Sequence, residues 1–202
     1  VVAWLAQSGD FLRYDADEEV RSLLMSGGQG WCRLRSWLPP AYFADDGTLL
    51  KQRLRRAIFD DPLLRKRVEA DLHPLVLGNL QAKIVASECP CLVEVPLLYE
   101  VGWQAYFDAV LVVYASDSIA SARLMARDQV SADQAQAVLQ AQLPIEDKVG
   151  MADYVVDNSR GWSETLLQLV KIKKKLSSFV QEKSLTASLN SSYMGSGPAK
   201  ET

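Results

Sequence analysis

The stretch AVLVVYASDSIASARLMARD, residues 109–128, decides the fold because its periodicity changes halfway. Its first seven residues form a nearly unbroken apolar run rich in valine. Such a run predicts a strand covered on both faces, as in a parallel sheet. The remainder reads as an exit loop and a helix, and it sets Arg123 and Arg127 four residues apart on one helical face. Two guanidinium groups are therefore expected just past the end of a buried strand, where an anion would be held.

The same grammar recurs along the chain. CLVEVPLLY (91–99) is a second near-continuous apolar run, and FLRYD (11–15) and YVVDN (154–158) read as two more strands. Helical patterns lie between them. VVAWLAQSG precedes the first strand, with Gly9 as a helix stop. Leu50, Leu54 and Ile58 recur at helical spacing. Asp61 and Pro62 read as a cap and a first-turn proline. Pro74 biases His73 away from helix, which predicts two helices meeting at that point. Ser131 and Gln134 form a capping box, and Pro144 opens a short helix that ends near residue 152. ETLLQLVKIKKKL reads as a last amphipathic helix. From about residue 177 the chain turns Ser-, Lys- and Gly-rich, which predicts a disordered tail over 177–202.

Strands alternating with helices predict a doubly wound parallel α/β fold, with ligands beyond the C-terminal ends of the strands. The mainly helical block at about 18–88 is too long for a simple crossover and reads as an elaborated subdomain.

Composition narrows the function. Of 202 residues, 49% are hydrophobic, enough for a sizeable core. A net charge of −3 gives no general pull toward nucleic acid or membrane, so any phosphate chemistry must be local. No run approaches the ~20 apolar residues of a membrane span, and no secretory signal is visible. Cys32, Cys89 and Cys91 are too few and too poorly spaced for a zinc site or a disulfide framework. They read as reduced thiols of a cytoplasmic protein, a monomer or small homo-oligomer.

The strand ends carry the chemistry. The first runs into Asp15 and Asp17, the second into Glu100, the third toward Arg123 and Arg127, and the fourth into Asp157 and Asn158. Cations that neutralise phosphate beside a carboxylate that takes a hydroxyl proton suit phosphoryl transfer. Each residue also has a structural reading. Asp15 reads equally as a helix cap, the arginines as a solvated face, His73 as a helix terminator, and Asp157-Asn158 as a turn.

The segments DADEEVR (15–21), DDGTLLKQRLRRAIFDDP (45–62), HPLV (73–76), VEVPLLYEVGW (93–103), FDAVLVVYA (107–115), ARLMARD (122–128) and AQLPIEDKVGMADYVVDNS (141–159) resemble, in order and spacing, the dephospho-coenzyme A kinases. The resemblance runs from roughly residue 2 to 170. It implies a P-loop kinase fold over 1–176, with a helical coenzyme-binding region at about 18–88 and a helical lid at about 123–152. It implies transfer of the γ-phosphoryl of ATP, with Mg²⁺, to the ribose 3′-hydroxyl of dephospho-coenzyme A. By position, Asp17 looks like the carboxylate that orients or deprotonates that hydroxyl, and Arg123 like the lid-side arginine. Arg127 is a second phosphate contact, and Asn158 and Ser159 fall near adenine. Lys51, His73 and Glu100 belong with the coenzyme substrate. No protein-held metal set is expected.

Two departures stand out. Lys51 occupies a position where the family usually has arginine; it keeps the charge and loses the bidentate fork. The family's phosphate-cradling loop, G-x-x-x-x-G-K-[ST], occurs nowhere in the 202 residues, and SGGQGWC (26–32) lacks its Lys-Ser/Thr. VVAWLA resembles the helix that follows that loop. The expectation is a fragment of a longer protein, inactive without the loop. The alternatives are a different small-molecule P-loop kinase, such as one acting on nucleoside monophosphates, and a non-catalytic module built on a degenerate kinase.

Overall fold

The computed structural model describes residues 1–7 and 9–194, with side chains as far as Lys183. Within it the chain forms two compact units, Val2–Pro96 and Leu97–Thr202.

The first unit begins with α1 (Val2–Ala6), which buries Leu5 completely. Gly9 ends it as expected, its φ of 78° lying in the left-handed region that suits glycine. β1 (Leu12–Asp15) follows, then four helices: α2 (Ala16–Leu23), α3 (Gln29–Arg35), α4 (Lys51–Asp60) and α5 (Pro62–Val85). The chain returns in β2 (Cys91–Glu94), parallel to β1, with Asp15 opposite Glu94. β2 is shorter than its apolar run: Pro96 has no N–H for a ladder, and residues 96–102 are turn.

The core of this unit is helical. Leu34, Leu38, Phe43, Leu49, Leu54, Val68 and Leu72 form one buried cluster, flanked by Trp31 and Trp37. Each such side chain contributes roughly 1.5–3 kcal/mol by leaving water. In the glycine-rich segment, Gly30 serves packing: a Cβ there would stand 2.9 Å from the Leu72 side chain.

α5 corrects one expectation. It is one helix of 24 residues that passes through His73 and Pro74 without ending. Pro74 forfeits one backbone bond, yet Val68, Leu72, Val76 and Leu80 all lie buried on the same stripe. Burying that stripe on both sides of the proline outweighs the local preference to stop. Asp61 caps the helix as expected, accepting from the Leu63 and Leu64 amides at 2.9 and 3.0 Å.

The second unit holds β3 (Leu111–Tyr114), α6 (Asp117–Asp128), α7 (Ala132–Gln140), α8 (Ile145–Met151), β4 (Tyr154–Asp157) and α9 (Trp162–Met194). β3 and β4 are parallel, with Val113 opposite Val156. The Ser131–Gln134 capping box is present at α7. α9 corrects the expected tail: residues 177–194 continue the helix, and residues 195–202 lie outside the described residues. Ile172 and Leu176 bury the helix, and Lys183 donates to Asp108 at 3.0 Å about two turns further on, so the apolar stripe does not mark its end.

The edge of β4 is finished by a side chain. Gln168 of α9 accepts from the Asp157 N–H at 2.9 Å and donates to the Asp157 carbonyl at 2.8 Å. Among the described residues, no helix is long and apolar enough to cross a membrane.

Candidate active site

In the first unit the site residues gather where β1 passes into α2. Asp15 is the N-cap of α2: its Oδ1 accepts from the Asp17 and Glu18 amides at 2.8 and 3.2 Å. Its Oδ2 accepts from Arg13 at 3.1 Å, and Arg13 also donates to Glu94 at 2.6 Å. The structural reading of Asp15 is therefore the right one. Asp17, two residues on, is exposed in the first turn of α2, and its carboxylate has no bonded partner among the described residues.

α2 is anchored from below. Glu19 is 7% exposed and pairs with Lys83 of α5, which also lies 5.8 Å over the Tyr14 ring. The sequence reading missed Arg13, Glu19, Lys83 and Glu94. The available signal for Glu19 was a carboxylate four residues before Leu23, on the buried face of a short amphipathic helix. Lys51 is exposed at the start of α4, and His73 is half-buried inside α5. The structure brings neither into bonded contact with Asp17.

In the second unit Arg123 projects from α6 onto the exit of β4. It donates to the Asn158 carbonyl at 2.7 Å and, at 3.5 Å, to that of Arg160. Asn158 also donates its N–H to Tyr114 at 2.7 Å and accepts from the fully buried Thr165 hydroxyl at 2.9 Å. Ser159 accepts from the Ser116 amide at 2.9 Å, tying the ends of β3 and β4 together. The Ser159 hydroxyl and amide hold the Asp157 carboxyl below its ordinary range.

Arg127 does not share this work. Its fork closes on its neighbour Asp128, at 2.7 and 2.8 Å, and that bond raises its pKa further. The two arginines lie on one face, as expected, but only Arg123 reaches the strand exit.

A cleft of about 520 Å³ opens beside these residues, lined by Tyr114, Asp117, Gln142, Leu143, Lys148 and Asn158 among others. Glu100 sits behind it, accepting from Lys148 at 2.6 Å and from the Leu143 amide at 3.0 Å. Burial pushes the Glu100 carboxyl up. The Lys148 ammonium and the backbone amides outweigh that, and the carboxyl lies below its ordinary range.

Among the described residues no group of three or more His, Cys, Asp or Glu side chains is arranged to hold a metal ion. All three cysteines are free thiols.

Comparison with known proteins gives a consistent result. A family model described as dephospho-CoA kinase matches residues 1–164. The dephospho-CoA kinase of Desulfotalea psychrophila is 34% identical over 168 residues, covering 79% of this chain and 84% of that one. That of Geobacillus kaustophilus is 31% identical over 165 residues, covering 80% and 82%. The crystal structure of TT1252 from Thermus thermophilus superposes with a TM-score of 0.72 at 31% identity, covering 85% of this chain and 87% of that one. A dephospho-CoA kinase from Campylobacter jejuni shares the fold, with a TM-score of 0.63 at 23% identity over 87% and 90% of the two chains.

Proposed function

The chain belongs to the dephospho-CoA kinase family, and from that premise we propose how its residues divide the reaction. ATP donates its γ-phosphoryl to the ribose 3′-hydroxyl of dephospho-coenzyme A. The 3′-oxygen forms a bond to phosphorus, the bond from phosphorus to the β-phosphate oxygen breaks, and ADP leaves. The hydroxyl proton passes to Asp17.

The observation that carries this assignment is the contrast between the two aspartates. Asp15 spends both oxygens on amides and Arg13, whereas Asp17, two residues along the same turn, is exposed and its carboxylate has no bonded partner among the described residues. A carboxylate that must receive a proton cannot also be consumed as a cap.

Arg123 supplies charge to the transferring phosphoryl group, which is where catalysis of this kind is concentrated. The Asn158 carbonyl fixes one terminal nitrogen at 2.7 Å and the Arg160 carbonyl holds the other weakly at 3.5 Å, and the exposed guanidinium keeps further N–H groups for phosphate oxygens. Asn158 and Ser159 face the nucleotide base. Lys51 and His73 belong to the helical region that receives the coenzyme substrate. The helices of residues 123–152 form the lid that excludes water from the transfer.

Mg²⁺ fits this arrangement as an ion carried mainly by phosphate oxygens and water, which is its usual manner of binding. When bound, the ion neutralises phosphate charge. The free thiols favour a reducing compartment, in keeping with a cytoplasmic enzyme.

The test is ADP release coupled to dephospho-coenzyme A, using protein expressed from the complete coding sequence. Asp17→Asn is expected to lower kcat by roughly 10²–10⁴-fold, with KM for ATP little changed. An Asp17→Asn protein that keeps half its activity refutes the assignment.

A further inference from the structure

Lys148 occupies a core position. On α8 the inward stripe is Ile145, Lys148 and Val149, and Lys148 is 8% exposed, a burial that lysine tolerates only when paired. Its Nζ donates to Glu100 at 2.6 Å and to the Gln142 side-chain carbonyl at 3.2 Å. The same Glu100 oxygen accepts from the Leu143 amide at 3.0 Å. Glu100, Lys148, Gln142 and Leu143 thus form a closed ring of bonds around the turn at 142–144. The second Glu100 oxygen is buried without a partner among the described residues, so its charge depends on this one cation and amide.

The packing on either side of the ring differs in kind. α6 buries no residue, and α7 and α8 bury one each, Ala135 and Lys148, but α8 packs on β3. α6 and α7 pack on each other and carry Arg123 between them and the β4 exit.

We propose that Lys148 is a positioning residue for phosphoryl transfer: through Glu100 it pins the turn at 142–144, so that the α6–α7 arm bearing Arg123 moves from a fixed root at Gln142. The ring divides the lid into an anchored return, from residue 143 onward, and a lightly packed arm before it. Glu100 then serves the root of the lid rather than the substrate directly. The catalytic half of this statement rests on the role given to Arg123 above; the ring itself does not.

The experiment reads the two halves separately. Amide exchange at Leu143 is followed by NMR, and kcat and KM for ATP are measured on protein from the complete coding sequence. The variants are Lys148→Met, Lys148→Arg and the isosteric Glu100→Gln, which retains an acceptor but not the charge and covers the case in which Lys148→Met fails to fold. Lys148→Met and Glu100→Gln should speed Leu143 exchange by about tenfold or more, because opening of the turn no longer breaks an ion pair. They should lower kcat by about 10- to 100-fold through misplacement of the arm, and Lys148→Arg should recover part of both. Leu143 exchange within twofold of the parent in Glu100→Gln overturns the ring. Faster exchange with kcat and KM unchanged overturns the positioning role. A parent protein with no activity on dephospho-coenzyme A refutes the proposed reaction and with it the positioning role, while the exchange rates still decide the ring.

Discussion

Replacing Lys83 by methionine strands Glu19. The Glu19 side chain is 9% exposed and that of Lys83 45%. Losing one partner of a fully buried ion pair costs about 3–5 kcal/mol, because the remaining charge is left uncompensated. An exposed pair contributes only about 0–1 kcal/mol. This pair is buried on the acidic side and half in water on the basic side, so Lys83→Met should cost about 2 kcal/mol. With a urea slope of about 2 kcal/mol/M, the unfolding midpoint should fall by about 1 M. The double variant Glu19→Met/Lys83→Met removes the buried charge as well and should return to within about 1 kcal/mol of the parent. Trp4, Trp31 and Trp37 lie in the same unit and report the transition by fluorescence. A single variant indistinguishable from the parent, or a double variant no better than the single one, refutes the claim that Glu19 is a buried charge held by Lys83. The consequence reaches the site, because Glu19 fixes the helix whose first turn presents Asp17.

The two arginines of α6 should separate cleanly in rate measurements. Arg123→Ala should lower kcat by about 10³-fold or more, whereas Arg127→Ala, which removes an exposed pair with Asp128, should change it by less than about threefold. Comparable losses would show that Arg127 leaves Asp128 to join the phosphates. Pro74→Ala restores an amide to an exposed position in the middle of α5 and should stabilise the protein by about 1–3 kcal/mol in thermal or urea unfolding. An unchanged or lower midpoint would count against a continuous helix through that residue.

What the sequence disclosed follows from how local each signal is. The four strands, the Asp61 cap, the Ser131–Gln134 box and the Gly9 stop are written in a few adjacent residues, and all are present. Pro74 was misread because a helix-breaking preference is local, while burial of Leu72 and Val76 against neighbouring helices is not. The end of α9 was misread because the Ser and Lys content beyond residue 177 describes solvation, not conformation. At the site, Asp15, Asp17 and Arg123 could be found by their place at strand exits. Which aspartate was spent as a cap could not, since the two are equivalent in spacing. Glu19, Lys83, Glu100 and Lys148 are paired across 64 and 48 positions of sequence, as the separations 83 − 19 and 148 − 100 give. No window short enough to read by periodicity contains both members of either pair. The trace they leave is a charged residue on an apolar stripe, and Lys148 on α8 is the clearer instance.

The bond between Gln168 and the backbone of Asp157 has a bearing on self-association. A strand with open amides and carbonyls along its flank invites a stranger's strand to dock there. At Asp157 both outward groups are already satisfied by one primary amide, which offers the same donor and acceptor that an intruding backbone would bring. The final helix therefore does more than cover the ladder: it occupies the hydrogen-bonding register at its tip and withholds that position from intermolecular growth.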